Sequence, residues 1–237
     1  MKYFILLLLL CLIIFTSIAD FNSPDKVDKK AKKYMQQSVI KTIKNTKITT
    51  KKRNFYAILV PAIQKTHNQL MNEYTSVVND INSKKNSKKI QKLKKEYKVN
   101  NDKELLIALK PHPQSIVLAQ AAMESAWGTS RFFNEANNVF GMWSVNKNEP
   151  RISAGEKRNG IRTIWLKKFT NIEDSIKAYY KLMATGKAYR EFREIRFNTD
   201  DPFKIVKKLN RYSELGEKYT QEIASVIKYN KLTQYDK

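Results

Sequence analysis

One stretch of this chain limits the architecture more than any other. Across residues 113–128, Ile116, Val117, Gln120, Ala121 and Glu124 fall on one stripe at i, i+4 and i+7 spacing. Pro113 suits the first turn of such a helix and Gly128 its end. The stripe is made of small residues, so it has to be covered, and the rest of the sequence covers it with more helix. Phe55, Leu59, Ile63 and Leu70 predict a helix interrupted or restarted at Pro61, and Ile90, Leu93 and Tyr97 share one face of a Lys-rich helix over 84–98. Thr170 and Glu173 form a capping box ahead of Ile176, Tyr179, Tyr180 and Met183. Tyr189, Phe192 and Ile195 mark a short helix, Asp201-Pro202 opens another, and Tyr219, Ile223, Val226 and Ile227 form a last stripe. Only Asn159-Gly160, followed by the β-branched and aromatic residues Ile161, Thr163, Ile164 and Trp165, signals a hairpin, at about 152–169. With six Gly and six Pro, turn material for an all-β sandwich is lacking. The fold class is mainly α (α+β): helices with one small β-hairpin lobe.

Chemistry is limited by what the chain lacks. Cys11 is the only cysteine, and His67 and His112 are the only histidines, so Cys/His zinc sites, Fe–S clusters and disulfide frameworks are excluded and neither metal nor cofactor is expected. Carboxylates, hydroxyls, amines or water must do the work. At the N-terminus, Met1-Lys2, an apolar run over 3–14 and Ser17-Ile18-Ala19 have the parts of a secretory signal cut after Ala19. The run is short for a membrane span. Export to the periplasm or outside is expected, with an uncleaved membrane anchor as the alternative. Residues 20–50 are polar and Lys-rich without periodicity and read as a basic linker or arm. Residues 51–110 read as an N-terminal helical extension packed on a catalytic domain at 111–237.

Glu124 is the candidate acid. Its face is otherwise Val117 and Ala121, it lies near the negative end of its helix, and Trp127 is close in sequence; each influence raises a carboxyl pKa. A carboxylic acid still protonated near neutral pH can protonate a glycosidic oxygen as the sugar leaves. A helix-end Glu paired with one of the many Lys or Arg side chains is the simpler reading, and position alone leaves both standing.

The whole segment says more. Gln120-Ala121-Ala122-Met123-Glu124-Ser125-Ala126-Trp127-Gly128, with Asn137-Asn138-Val139-Phe140-Gly141 after it, closely resembles the catalytic signature of glycoside hydrolase family 73, the endo-β-N-acetylglucosaminidases of bacterial cell walls, and within it the Bax-type branch. The likeness begins near Lys51, includes 55–61 and 105–120, and reaches Ala188-Tyr189-Arg190-Glu191-Phe192-Arg193. This resemblance implies a lysozyme-like helical lobe and a small β lobe flanking a substrate groove, with Glu124 as general acid. It also implies a second acidic residue on the hairpin, for which Glu156 fits best and Glu149 is a nearby rival; a solvated strand Glu beside Lys157 and Arg158 explains Glu156 nearly as well. Tyr189 matches the family's active-site tyrosine, although a core tyrosine explains the position equally well. Trp127, Phe140 and Trp143 offer flat faces to sugar rings, and Asn138 offers an amide to an N-acetyl group; Trp127 also suits core packing.

Three functions are expected candidates. The first is a peptidoglycan hydrolase cutting the β-1,4 bond between N-acetylglucosamine and N-acetylmuramic acid. A lytic transglycosylase would use the same Glu124. The third is a non-enzymatic basic protein that binds nucleic acid or another anionic polymer. The chain carries +23 overall, with +14 in residues 20–110 (22 Lys+Arg, 8 Asp+Glu). Such charge attracts any polyanion. No nucleic-acid motif accompanies it, so specific nucleic-acid binding is not expected. An anionic wall or membrane surface fits the basic N-terminal half, and peptidoglycan glycan strands are the expected partner.

Overall fold

The computed structural model describes residues 24–158 and 162–236. The expected leader at 1–19 and the Asn159-Gly160 turn lie outside the described residues. The chain divides into two compact units, Met1–Thr50 and Lys51–Lys237. A long helix, α1 (Pro24–Asn82), has its first residues in one unit and its remainder in the other.

The stretch expected to be a linker or arm is therefore helical from Pro24. Periodicity failed as a signal because this part of α1 leaves Tyr34, Met35, Val39 and Ile40 exposed. Its Thr hydroxyls turn back onto the helix, Thr42 donating to the Ser38 carbonyl and Thr46 to that of Thr42. Pro61, expected to interrupt a helix, lies inside α1. A proline there costs about 3 kcal/mol. Leu59 and Ile63, fully buried on either side, each return about 2 kcal/mol by leaving water, which outweighs the defect.

Within the unit from Lys51 onward, α2 (Ser87–Tyr97) and α3 (Asp102–Leu109) close a small core of Val77, Ile90, Leu93, Tyr97, Leu105 and Leu109. The larger core surrounds α4 (Gln114–Glu124), whose residues from Gln114 to Ala122 are all buried. Its neighbours are Phe55, Leu59 and Ile63 of α1, Tyr179 and Met183 of α6 (Ile172–Thr185), Phe192 of α7 (Arg190–Asn198), and Tyr219, Ile223 and Ile227 of α9 (Glu217–Tyr229). The short helices α5 (Arg131–Ala136) and α8 (Pro202–Ile205) complete the set. Helix α6 is capped by Asn171, whose side chain accepts from the Asp174 N–H at 2.8 Å, and not by the expected Thr170. Asn171 satisfies the orphan N–H of Asp174, where a Thr170 cap would have met that of Glu173.

The hairpin forms as expected, with β1 (Arg151–Arg158) antiparallel to β2 (Arg162–Lys167). Its register slips: Ser153 faces Trp165 and Lys157 faces Thr163, so three residues of β1 stand opposite Ile164 alone. Gly155, at the centre of this bulge, has φ +87°, a backbone conformation that favours glycine. The resulting fold is mainly α with, among the described residues, one small antiparallel sheet.

Candidate active site

Helix α4 is held at both ends. At its start, Asp236 reaches in from the far end of the unit, and its Oδ1 accepts the Ser115 N–H at 2.7 Å. At its finish the chain reverses hand: Ala126, Trp127 and Gly128 have φ of +51°, +60° and +75°. Two of these are not glycine, and left-handed backbone costs roughly 1–2 kcal/mol for each such residue. The turn is fixed by Ser125, whose hydroxyl donates to the Ala121 carbonyl at 2.6 Å and accepts from the Gly128 N–H at 2.8 Å. Trp127 is tied down as well, edge-on to Phe55 and Tyr56 with the Lys52 ammonium 4.5 Å from its ring centre. Packing is thus what the structure shows for Trp127.

Glu124 occupies the last residue of α4, half-buried, and its Oε1 accepts from the Tyr219 hydroxyl at 2.8 Å. Burial pushes its carboxyl pKa up, and the Tyr219 hydrogen bond pulls partly against it. Among the described residues no Lys or Arg forms an ion pair with it, despite 45 in the chain. The simpler sequence reading, a helix-end Glu paired with a cation, is set aside by that geometry.

Tyrosines line its surroundings. Tyr212 stacks on Tyr219 with ring centres 5.5 Å apart and lies 6.0 Å from Tyr189. Burial first, and then the charge of Glu124, raise the pKa of both Tyr189 and Tyr212. Tyr189 is therefore brought to the acid's neighbourhood, as a buried side chain. Behind Tyr219, the Gln120 Nε2 donates to its oxygen at 3.0 Å, and Gln120 Oε1 accepts from the Tyr179 hydroxyl at 2.5 Å. His112 Nε2 is 2.9 Å from the same Tyr179 oxygen.

Two residues expected to meet sugar do something else. Asn138 is 1% exposed, and its amide is used internally: Nδ2 donates to the carbonyls of Met142 and Lys167, both at 2.9 Å, and Oδ1 accepts from the Met142 N–H at 2.8 Å. It fastens the 137–142 loop to β2. Phe140 is buried and stacks on Tyr179 at 4.0 Å, which hides both its faces from a saccharide. Trp143 differs: it is 56% exposed and bridges to Leu166 at the edge of β2.

The two rival carboxylates part company. Glu149 accepts from the Ser144 hydroxyl at 2.7 Å and pairs with Lys167 at 3.1 Å. The hydroxyl and the ammonium hold its carboxyl below the usual range. Glu156 lies in the bulge of β1 by its backbone, and its side chain is outside those described. Tyr219, Gln120 and Tyr179 were the residues that sequence reasoning missed as site members. Gln120 carried a signal, a polar side chain one helical turn before Glu124 on a stripe that is otherwise buried.

Comparison with known proteins agrees in kind. Residues 103–232, more than half the chain, match the model of the glucosaminidase family, mannosyl-glycoprotein endo-beta-N-acetylglucosaminidase. Protein bax of Escherichia coli (strain K12) is 28% identical over 124 residues, which is 50% of this chain and 43% of that one, so the chain spans less than half the length of this relative. The catalytic domain of the autolysin Auto from Listeria monocytogenes aligns with a TM-score of 0.45 and 20% identity over 73% of this chain and 88% of its own. A glycoside hydrolase domain of FlgJ from Salmonella typhimurium aligns with a TM-score of 0.41 and 21% identity over 54% and 90%. Both structural likenesses are loose.

Proposed function

Because the chain belongs to the glucosaminidase family and is a glycoside hydrolase, we propose that it is an exported peptidoglycan hydrolase that cuts the β-1,4 bond between N-acetylglucosamine and N-acetylmuramic acid, with Glu124 as general acid. One observation carries the reading: a half-buried carboxyl at the end of α4 has a tyrosine hydroxyl for its partner and, among the described residues, no cation paired with it. A carboxyl with a raised pKa keeps its proton to higher pH than an exposed one does, which suits a general acid. It gives that proton to the glycosidic oxygen as the C–O bond breaks; the oxygen of a water then bonds to the anomeric carbon, and the proton which that water releases restores the acid form of Glu124 by way of solvent.

For the second carboxylate we keep Glu156 as the candidate. Glu149 has its charge taken up by Ser144 and Lys167, whereas Glu156 lies by its backbone on strand β1 of the hairpin, where the family resemblance puts the second acid. Trp143, exposed at the hairpin's edge, is the candidate face for a sugar ring. Tyr189 is proposed to stand beside the acid, where it orients the N-acetyl group or the water. Export rests on the leader-like sequence at 1–19, and retention at an anionic wall or membrane surface rests on the +14 carried by residues 20–110.

Digestion of purified peptidoglycan tests the proposal. The expected result is N-acetylglucosamine at the new reducing ends, and a fall of roughly 10²–10⁴-fold in release by Glu124→Gln. N-acetylmuramic acid at those ends would make the enzyme a muramidase. An anhydro end, lighter by one water, would make it a lytic transglycosylase. Full activity in Glu124→Gln removes the acid from the mechanism.

A further inference from the structure

The polar contacts behind Glu124 form a chain with a direction. Tyr179 has one hydroxyl proton and spends it on Gln120 Oε1, so its oxygen is free to accept from His112 Nε2. Because the carbonyl of Gln120 is turned to Tyr179, its NH₂ faces Tyr219 and donates to that oxygen. The single proton of Tyr219 is thereby committed to Glu124 Oε1. Each step fixes the next, and all of it lies in the buried core: His112, Gln120 and Tyr179 are wholly buried and Tyr219 is 2% exposed.

We propose that Tyr219, oriented through Gln120 by Tyr179, is a positioning residue that gives the two oxygens of Glu124 separate duties, Oε1 as a permanent acceptor and Oε2 as the carrier of the transferable proton. This deepens the glycosidase reading and rests on it. When the acid acts, the Oε2–H bond breaks and an O–H bond forms on the leaving oxygen, with the electron pair of the broken C–O bond staying on that oxygen. Glu124 is left as a carboxylate, and the Tyr219 hydrogen bond to Oε1 becomes charge-assisted without any donor having to turn. A dipole already aimed at the charge as it develops costs no reorganisation in the step.

The reverse polarity explains why the outer members matter. Were Gln120 to flip, its carbonyl would face Tyr219 and draw that proton away, and Glu124 would lose its donor. A flip would break the hydrogen bond that Tyr179 donates to Gln120 Oε1. The groups facing Glu124 are the hydroxyls of Tyr219 on α9, of Tyr212 on the segment before it and of Tyr189 on the 3₁₀ turn Lys187–Tyr189, all with pKa values raised. None of these titrates in the range where a carboxyl does, so a shift in that range reports Glu124 itself.

Carbon-13 NMR titration of glutamate-labelled protein reads the Glu124 carboxyl directly, with Glu124→Gln to identify its signal. Tyr219→Phe removes the donor and should move the titration up. Tyr179→Phe, which touches neither Glu124 nor Tyr219 in a hydrogen bond, should move it the same way by a smaller amount. The alkaline limb of kcat/KM on peptidoglycan should follow both shifts, because the acid form then survives to higher pH. A Glu124 titration unmoved by Tyr219→Phe, or moved by Tyr219→Phe and left at the wild-type value by Tyr179→Phe, overturns the proposal whatever happens to activity. If Tyr179→Phe does not fold, Gln120→Met carries the second arm with the same expected direction. The NMR arm uses no substrate. Failure of the hydrolase reading, seen as full activity in Glu124→Gln, is thus separate from failure of this one.

Discussion

Glu124 and Glu149 are the same residue placed in opposite settings. At the end of α4 the carboxyl is half-buried among tyrosines, and its pKa rises because water is gone. On the loop before β1 the other carboxyl stays near solvent with an ammonium and a hydroxyl, and its pKa falls. The helical lobe makes an acid by withholding cations from a chain rich in them; the hairpin side keeps its Glu ionised by supplying one. Charge content therefore says little about either site. What decides is which side chains the core excludes.

The largest expected effect on this contrast comes from the fastening between the two regions. Asn138→Ala removes three hydrogen bonds, leaving the Met142 carbonyl with only the Lys167 N–H and taking the amide from the Met142 N–H and the Lys167 carbonyl, a loss of about 3 kcal/mol. Hydrogen exchange should show the amides of β2 and the 137–142 loop losing protection while those of α4 keep theirs. Equal loss in both would mean that the hairpin and the helical lobe unfold as one body. Next in size is a pH effect on stability. A carboxyl whose pKa is raised by folding holds its proton more tightly in the folded state, so its contribution is present at low pH and is lost as pH rises through the folded value. Glu124→Gln should accordingly raise Tm at neutral pH, with the gap closing below the ordinary carboxyl range. A mutant that melts lower than wild type at pH 7 would contradict the burial that underlies the acid. Smallest is the hairpin side: Glu149→Gln breaks a partly exposed ion pair worth less than about 1 kcal/mol, and turnover should change by less than roughly threefold. A larger fall would return Glu149 to the reaction.

The candidate acid was legible in the sequence because α4 obeys a helical period and its last polar residue stands on an apolar face. The hairpin was legible from Asn159-Gly160 and the β-branched run after it. Tyr219 was not, since it lies 95 residues from Glu124 and a tyrosine on an apolar stripe reads as core. Asn138 and Phe140 misled for a related reason: amides and aromatics in a loop fit a sugar or the protein's own backbone equally well, and only the fold decides which claims them. The helix over 24–50 was hidden because pattern reading looks for a buried face, and the apolar side chains described there lie exposed. Pro61 misled because a local penalty was weighed without the tertiary burial around it.

The reversal of hand at Ala126, Trp127 and Gly128 has a consequence for how this chain can vary. A right-handed helix cannot grow through a turn wound the other way, so α4 is unable to lengthen and draw Glu124 into its interior. The acid's address is thereby stamped at the terminus: residues inserted or deleted between 125 and 128 would displace the carboxyl from its tyrosines, whereas the exposed residues 145–148 could lengthen freely.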